Sequence, residues 1–158
     1  MGNSAVLRAG EVQRMSAGSG IVHSEINQTG AHGRLLQIWI EPAQLGIQPA
    51  YEQKPFAIGE GWTPLIEPDA TGDAMAIERA VRLWRAQPLC QQQLPLPDAK
   101  ERRLWLQVID GELTLNREGS PKQALRRGDG MGLIQDAATQ SKLIGLGERA
   151  DVLLFALA

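Results

Sequence analysis

Met15-Ser16-Ala17-Gly18-Ser19-Gly20-Ile21-Val22-His23-Ser24-Glu25, followed closely by Leu35-Leu36-Gln37-Ile38-Trp39-Ile40, is the stretch on which the reading of this chain turns. It carries one of the two histidines in the protein, with a carboxylate two residues further on. On a strand, the side-chain period of two puts His23 and Glu25 on one face. Gly18 and Gly20 suit a tight turn that would aim that face inward. A nitrogen and an oxygen donor converging from one strand make half of a metal site in a small β-barrel. The same spacing also describes two polar residues on a solvated strand face.

Around this stretch the sequence reads as strands throughout. Val12 to Met15, Ile21 to Ile26, Leu35 to Ile40, Leu104 to Ile109, Glu112 to Leu115, Met131 to Ile134 and Val152 to Leu157 are short apolar runs. Seventeen Gly and nine Pro punctuate them, the pattern of an antiparallel sandwich or barrel. Asp110-Gly111 is a hairpin-type turn signal, as is Asn116 to Gly119. Ala74 to Ala86 lacks Gly and Pro, so a helix with Arg79, Arg82 and Arg85 on one face competes with a strand. Those arginines read as a solvated surface rather than an anion-binding stripe. Pro88 to Asp98 reads as a loop or linker, and Cys90 within it as incidental. Trp39 and Trp105 read as packing residues on strands.

Composition narrows the function classes. The chain has 158 residues and 43% hydrophobic content, enough for a core. A net charge of −2 argues against nucleic acid or a membrane surface as the main partner. One cysteine excludes an intrachain disulfide and a Cys-rich zinc cluster. No apolar run approaches the roughly 20 residues that span a bilayer, and the N-terminus lacks a signal-peptide layout. The expected location is cytoplasmic.

The chain also repeats itself. Ala9-Gly10-Glu11-Val12-Gln13-Arg14-Met15 parallels Arg127-Gly128-Asp129-Gly130-Met131-Gly132-Leu133 at an offset of 118 residues. Arg34-Leu35-Leu36-Gln37-Ile38-Trp39-Ile40 parallels Asp151-Val152-Leu153-Leu154-Phe155-Ala156-Leu157 at an offset of 117. Two copies of one module account for both.

The run Gly10 to Glu25, then Leu36-Gln37-Ile38-Trp39-Ile40-Glu41-Pro42, then Pro49-Ala50-Tyr51-Glu52-Gln53-Lys54, resembles the pirin family of bicupins. The resemblance implies an all-β, jelly-roll (double-stranded β-helix) bicupin with an incomplete first barrel and a complete second one. The implied division is 1–50 for the later part of the N-terminal cupin domain, 51–98 for the crossing and start of the second barrel, and 99–158 for the C-terminal cupin domain. Pirin-type sites bind metal through a His-x-His pair and a later His-x-Glu pair. By resemblance His23 and Glu25 are the later pair, Glu25 doubles as general base, and Leu36, Ile38 and Ile40 form barrel wall. His32 matches no ligand position. In the second copy the place of His23 falls near Ser141 and Lys142, so that half is expected to be structural packing.

With two histidines in the chain, a three-His, one-Glu site cannot be assembled from it alone. Met1-Gly2-Asn3 resembles an internal turn of longer members, so the sequence is expected to begin inside its first domain. A start placed too far downstream, a truncated gene and a shortened protein that has lost its metal all remain open. A complete site would suit a divalent metal, Fe(II) first, with Mn, Ni or Cu as alternatives. The resemblance implies quercetin 2,3-dioxygenase chemistry on an aromatic, flavonol-like substrate. A metal-responsive regulatory or binding protein, as among eukaryotic members, and an inactive remnant are the alternatives. An open first half further predicts self-association.

Overall fold

The computed structural model describes residues 4–69, 72–98, 103–134 and 140–157. Among these residues every regular element is a strand: β1 (Glu11–Ser16), β2 (Ala50–Pro55), β3 (Thr63–Glu67), β4 (Met75–Ala76), β5 (Arg82–Ala86), β6 (Gln93–Pro95), β7 (Arg103–Asp110), β8 (Glu112–Arg117), β9 (Gln123–Arg126), β10 (Gly130–Leu133), β11 (Ser141–Gly145) and β12 (Asp151–Leu157). Two compact units result, Met1–Lys54 and Pro55–Ala158.

The second unit is a sandwich. One sheet has the order β10-β7-β12-β5-β3-β4 and the other β6-β11-β8-β9. On β7 the alternation does the sorting: Leu104, Leu106 and Val108 are buried, while Arg103 and Trp105 are exposed. The inward set meets Trp84 and Ala86 of β5 and Val152, Leu154 and Ala156 of β12. Leu94, Leu113, Leu115, Leu125 and Leu143 of the smaller sheet complete the same core. Trp62 packs against it and donates its indole N–H to the Pro95 carbonyl at 2.8 Å. β12 lies between β5 and β7, antiparallel to both. A position in mid-sheet demands apolar side chains on both faces, and Val152, Leu153 and Leu154 are all buried.

Several expectations change here. Asp110-Gly111 is a turn but no hairpin, because β7 and β8 belong to different sheets. Gly111 carries the crossing at φ +73, where a Cβ would lie 2.5 Å from the Arg149 carbonyl oxygen. Asn116 to Gly119 does turn a hairpin, β8 to β9. Ala74 to Ala86 forms β4 and β5 rather than a helix. The surface reading of its arginines fails for Arg85, which donates to both carboxylate oxygens of Asp151, Nε at 2.9 Å and Nη2 at 2.5 Å. Gln87 adds a third hydrogen bond to that carboxylate at 3.0 Å. Hydrogen bonding to Asp151 raises the Arg85 pKa, against the opposing effect of burial. Pro88 to Asp98 is more than a linker, since it holds β6 and bridges Leu89 to Arg149 and Cys90 to Gly145.

The first unit is sparer. β1 and β2 form a two-stranded sheet. The turn after β1 closes through Gly20 N to Ala17 O at 2.8 Å, and Ser19 N reaches Ile47 O at 3.0 Å. Gly18, at φ +54, sits so close to the Ile47 carbonyl that any side chain there would collide with it.

Candidate metal site

The expected glycine turn is present, but the strands expected after it are not. Ile21 to Ile26 and Leu35 to Ile40 run without regular secondary structure. Neither stretch has a strand beside it, among the described residues, to take its backbone N–H and C=O groups, and a lone strand is not stable in water. Leu36 and Ile38, expected as barrel wall, are 51% and 43% exposed, and Trp39, expected on a strand, is 87% exposed. Trp105 does lie on a strand, β7, with its indole over Gly130.

His23 and Glu25 are exposed on this segment. Glu25 is nonetheless held: Gln13 Nε2 donates to its Oε1 at 2.6 Å. Gln13 belongs to a polar row that the alternation of two strands builds. Glu11 and Gln13 share one face of β1, and Tyr51 and Gln53 one face of β2. The Tyr51 hydroxyl donates to Gln53 Oε1 and lies 3.4 Å from Gln13 Oε1. Gln53 Nε2 donates to Glu11 Oε2 at 2.7 Å and to the Val6 carbonyl at 2.9 Å. Arg14, on the alternate parity, pairs with Ser16 Oγ at 2.9 Å and Glu52 Oε2 at 3.5 Å. Sequence reasoning singled out the carboxylate and missed its anchor. The period-two placement of Glu11 and Gln13 was the signal that could have found it.

The remaining candidates lie apart from this row. His32 is exposed beside an Asn27-Thr29-Ala31 turn, in which Asn27 Nδ2 donates to the Ala31 carbonyl at 2.7 Å. Cys90 is exposed and, within the second unit, edges an open cleft of about 690 Å³ with Glu60, Leu89 and Arg149. Ser141 is buried and Lys142 exposed, both on β11. Among the described residues no group of three or more His, Cys, Asp or Glu is placed to hold a metal. An exposed imidazole and an anchored carboxylate fit a metal that takes N and O donors. They supply two ligands, so the fit is to half of a coordination sphere.

Comparison with known proteins agrees with this architecture. The Pirin family profile matches residues 1–40 and the quercetinase C-terminal cupin domain profile matches residues 65–157. A Pasteurella multocida protein provisionally named a quercetin 2,3-dioxygenase is 40% identical over 99% of this chain and 65% of its own length. The quercetin 2,3-dioxygenase of Escherichia coli (strain K12) is 41% identical over 73% of this chain and 51% of its own. The crystal structure of YhhW from Escherichia coli superimposes with a TM-score of 0.81 at 34% identity, covering all of this chain and 64% of that one. The structure of bacterial pirin YhhW with nickel(II) gives 0.78, again at 34% identity, covering 99% of this chain and 65% of that one. The chain thus spans less than two thirds of the length of these relatives. With one profile on the segment of His23 and Glu25 and the other on the sandwich, the chain belongs to the pirin family of cupin proteins.

Proposed function

We propose that this pirin-like cupin takes part in metal-dependent oxidation of a flavonol-like substrate, of the quercetin 2,3-dioxygenase type, with His23 and Glu25 as metal ligands. The observation that carries the reading is the His23-x-Glu25 spacing, with the Glu25 carboxylate held by Gln13, inside the segment that matches the Pirin profile. The relatives' names and the nickel(II) of the pirin crystal structure support a divalent metal and a chelating aromatic substrate. Fe(II), Mn, Ni and Cu all suit such donors. The metal supplies Lewis acidity toward the substrate oxygens. Glu25 is also the carboxylate that would accept the substrate hydroxyl proton. The chain alone supplies two donors of the set, so turnover requires further ligands.

The test is oxygen uptake with quercetin by the protein purified from its native source and loaded with nickel(II) or Fe(II). Uptake that His23→Ala abolishes is the expected result. A metal-loaded protein that consumes no oxygen with the flavonol would overturn the dioxygenase reading. That outcome would leave the second one, a metal-responsive binding protein. The second reading is favoured by the run of solvent-exposed Leu35, Leu36, Ile38 and Trp39 in the same unit.

A further inference from the structure

Residues 35–40 combine apolar side chains in the open with a backbone that pairs with nothing. Leu35, Leu36, Ile38 and Trp39 are between 43% and 87% exposed. Among the described residues no backbone hydrogen bond involves Leu35 to Ile40. Unpaired backbone of this kind is a template for a further strand. The repeat indicates the orientation, since the counterpart β12 is antiparallel to both of its neighbours. The sequence then favours a partner identical to itself. In antiparallel pairing centred on Gln37, Leu35 stands opposite Trp39 and Leu36 opposite Ile38, each twice. Arg34 falls opposite Ile40 and Glu41 opposite Gly33, so no charge meets its like.

We propose that residues 34–40 are a self-pairing strand through which two copies of this chain form a two-fold dimer. Each copy supplies the backbone partners that the other lacks there, and the symmetry makes the contact isologous. The four exposed side chains present roughly 500 Å² per chain, or about 1,000 Å² in total, the lower limit for a specific interface. The dimer therefore belongs to the weak class, populated on the order of 100 µM and dissociated on the order of 1 µM. It requires no metal and is independent of the roles of His23 and Glu25.

Sedimentation velocity on the whole chain, across that range of concentration, tests the pairing. The expected result is a dimer at the upper end and a monomer at the lower. Leu36→Asp puts a carboxylate between apolar partners and should weaken association about 100-fold. Leu89→Asp, at a leucine of the second unit that is 56% exposed, should leave it unchanged. Disulfide trapping with Cys90 replaced by serine reads the register without a destabilising charge. Gln37→Cys faces its own copy across the axis, at a spacing that a disulfide spans, and should oxidise to a covalent dimer. Glu41→Cys, about 26 Å from its copy in this register, should not. A chain that stays monomeric at the upper concentration overturns the proposal and leaves the run to a different polypeptide. A dimer that Leu36→Asp leaves intact, species larger than a dimer, or equal trapping at positions 37 and 41 overturns it as well.

Discussion

The two copies of the repeat have the same turn and different fates beyond it. In the first, Arg8 N donates to Glu11 Oε2 at 2.7 Å and Glu11 N to Arg8 O at 3.0 Å, around Gly10 at φ +87. In the second, Arg126 N donates to Asp129 Oδ2 at 2.9 Å and Asp129 N to Arg126 O at 2.9 Å, around Gly128 at φ +94. Residue for residue the turns coincide. Further on the copies part: Asp151–Leu157 is a strand in mid-sheet, whereas its counterpart Arg34 to Ile40 has no regular secondary structure and is exposed from Arg34 to Trp39. A turn is specified by residues three apart. A strand also requires neighbours to accept its hydrogen bonds and cover its faces.

The sharpest way to break this comparison uses one residue type at matched positions. Leu153 is 5% exposed and its counterpart Leu36 is 51% exposed. Leu153→Ala removes a packed side chain and should cost about 3 kcal/mol, while Leu36→Ala should stay within about 0.5 kcal/mol. Chemical denaturation of both variants reads the difference directly. A large loss from Leu36→Ala would mean that residues 34–40 are packed in solution, and that the copies are more alike than the structure shows.

Next in size is the ion pair at the start of β12. Asp151 accepts three hydrogen bonds from Arg85 and Gln87, and it has no equivalent in the first copy, where Arg34 stands at that position. Both partners are mostly covered, at 19% and 14% side-chain exposure. Asp151→Ala strands a half-buried guanidinium and should cost about 2 kcal/mol. Hydrogen bonding to Asp151 raises the Arg85 pKa above the ordinary guanidinium value, with burial opposing it. Its stabilising contribution is therefore fully present below that value and fades only as pH rises through the folded-state pKa. The loss caused by Asp151→Ala should accordingly be equal at pH 7 and pH 9. A loss that shrank between those two values would show that Arg85 is not what Asp151 holds.

What could be read in the sequence follows the same division between local and non-local. The seven apolar runs identified the all-β class, and β7, β8, β10 and β12 fall where alternation and turn residues placed them. β3 and β11 were missed, since Thr63–Glu67 and Ser141–Gly145 are short and show little pattern before a sheet closes on them. Ile21 to Ile26 and Leu35 to Ile40 erred in the other direction, because intrinsic strand character says nothing about whether a partner is present. The Asp110-Gly111 crossing looked like a hairpin because a turn signal does not reveal which sheet the chain enters next. At the candidate site His23 and Glu25 could be singled out from spacing, but the hold on Glu25 could not. It depends on Gln13, twelve residues away on β1.

The smallest expected effect concerns what the copies share. Gly10 and Gly128 both adopt positive φ, and a Cβ at either would meet nothing within 4 Å. Alanine there is penalised by backbone conformation alone, about 1 kcal/mol at each site. If the turns are equivalent the intrinsic penalty is the same, but its readout differs. In Gly128→Ala it should appear in global unfolding, because β10 is hydrogen-bonded to β7 through four residue pairs. In Gly10→Ala it should appear as faster amide exchange in β1, whose sheet consists of β1 and β2 among the described residues. If Gly10→Ala instead lowered the global midpoint as much as Gly128→Ala, the two units would be unfolding as one. The contrast between a self-sufficient copy and a dependent one would then fail.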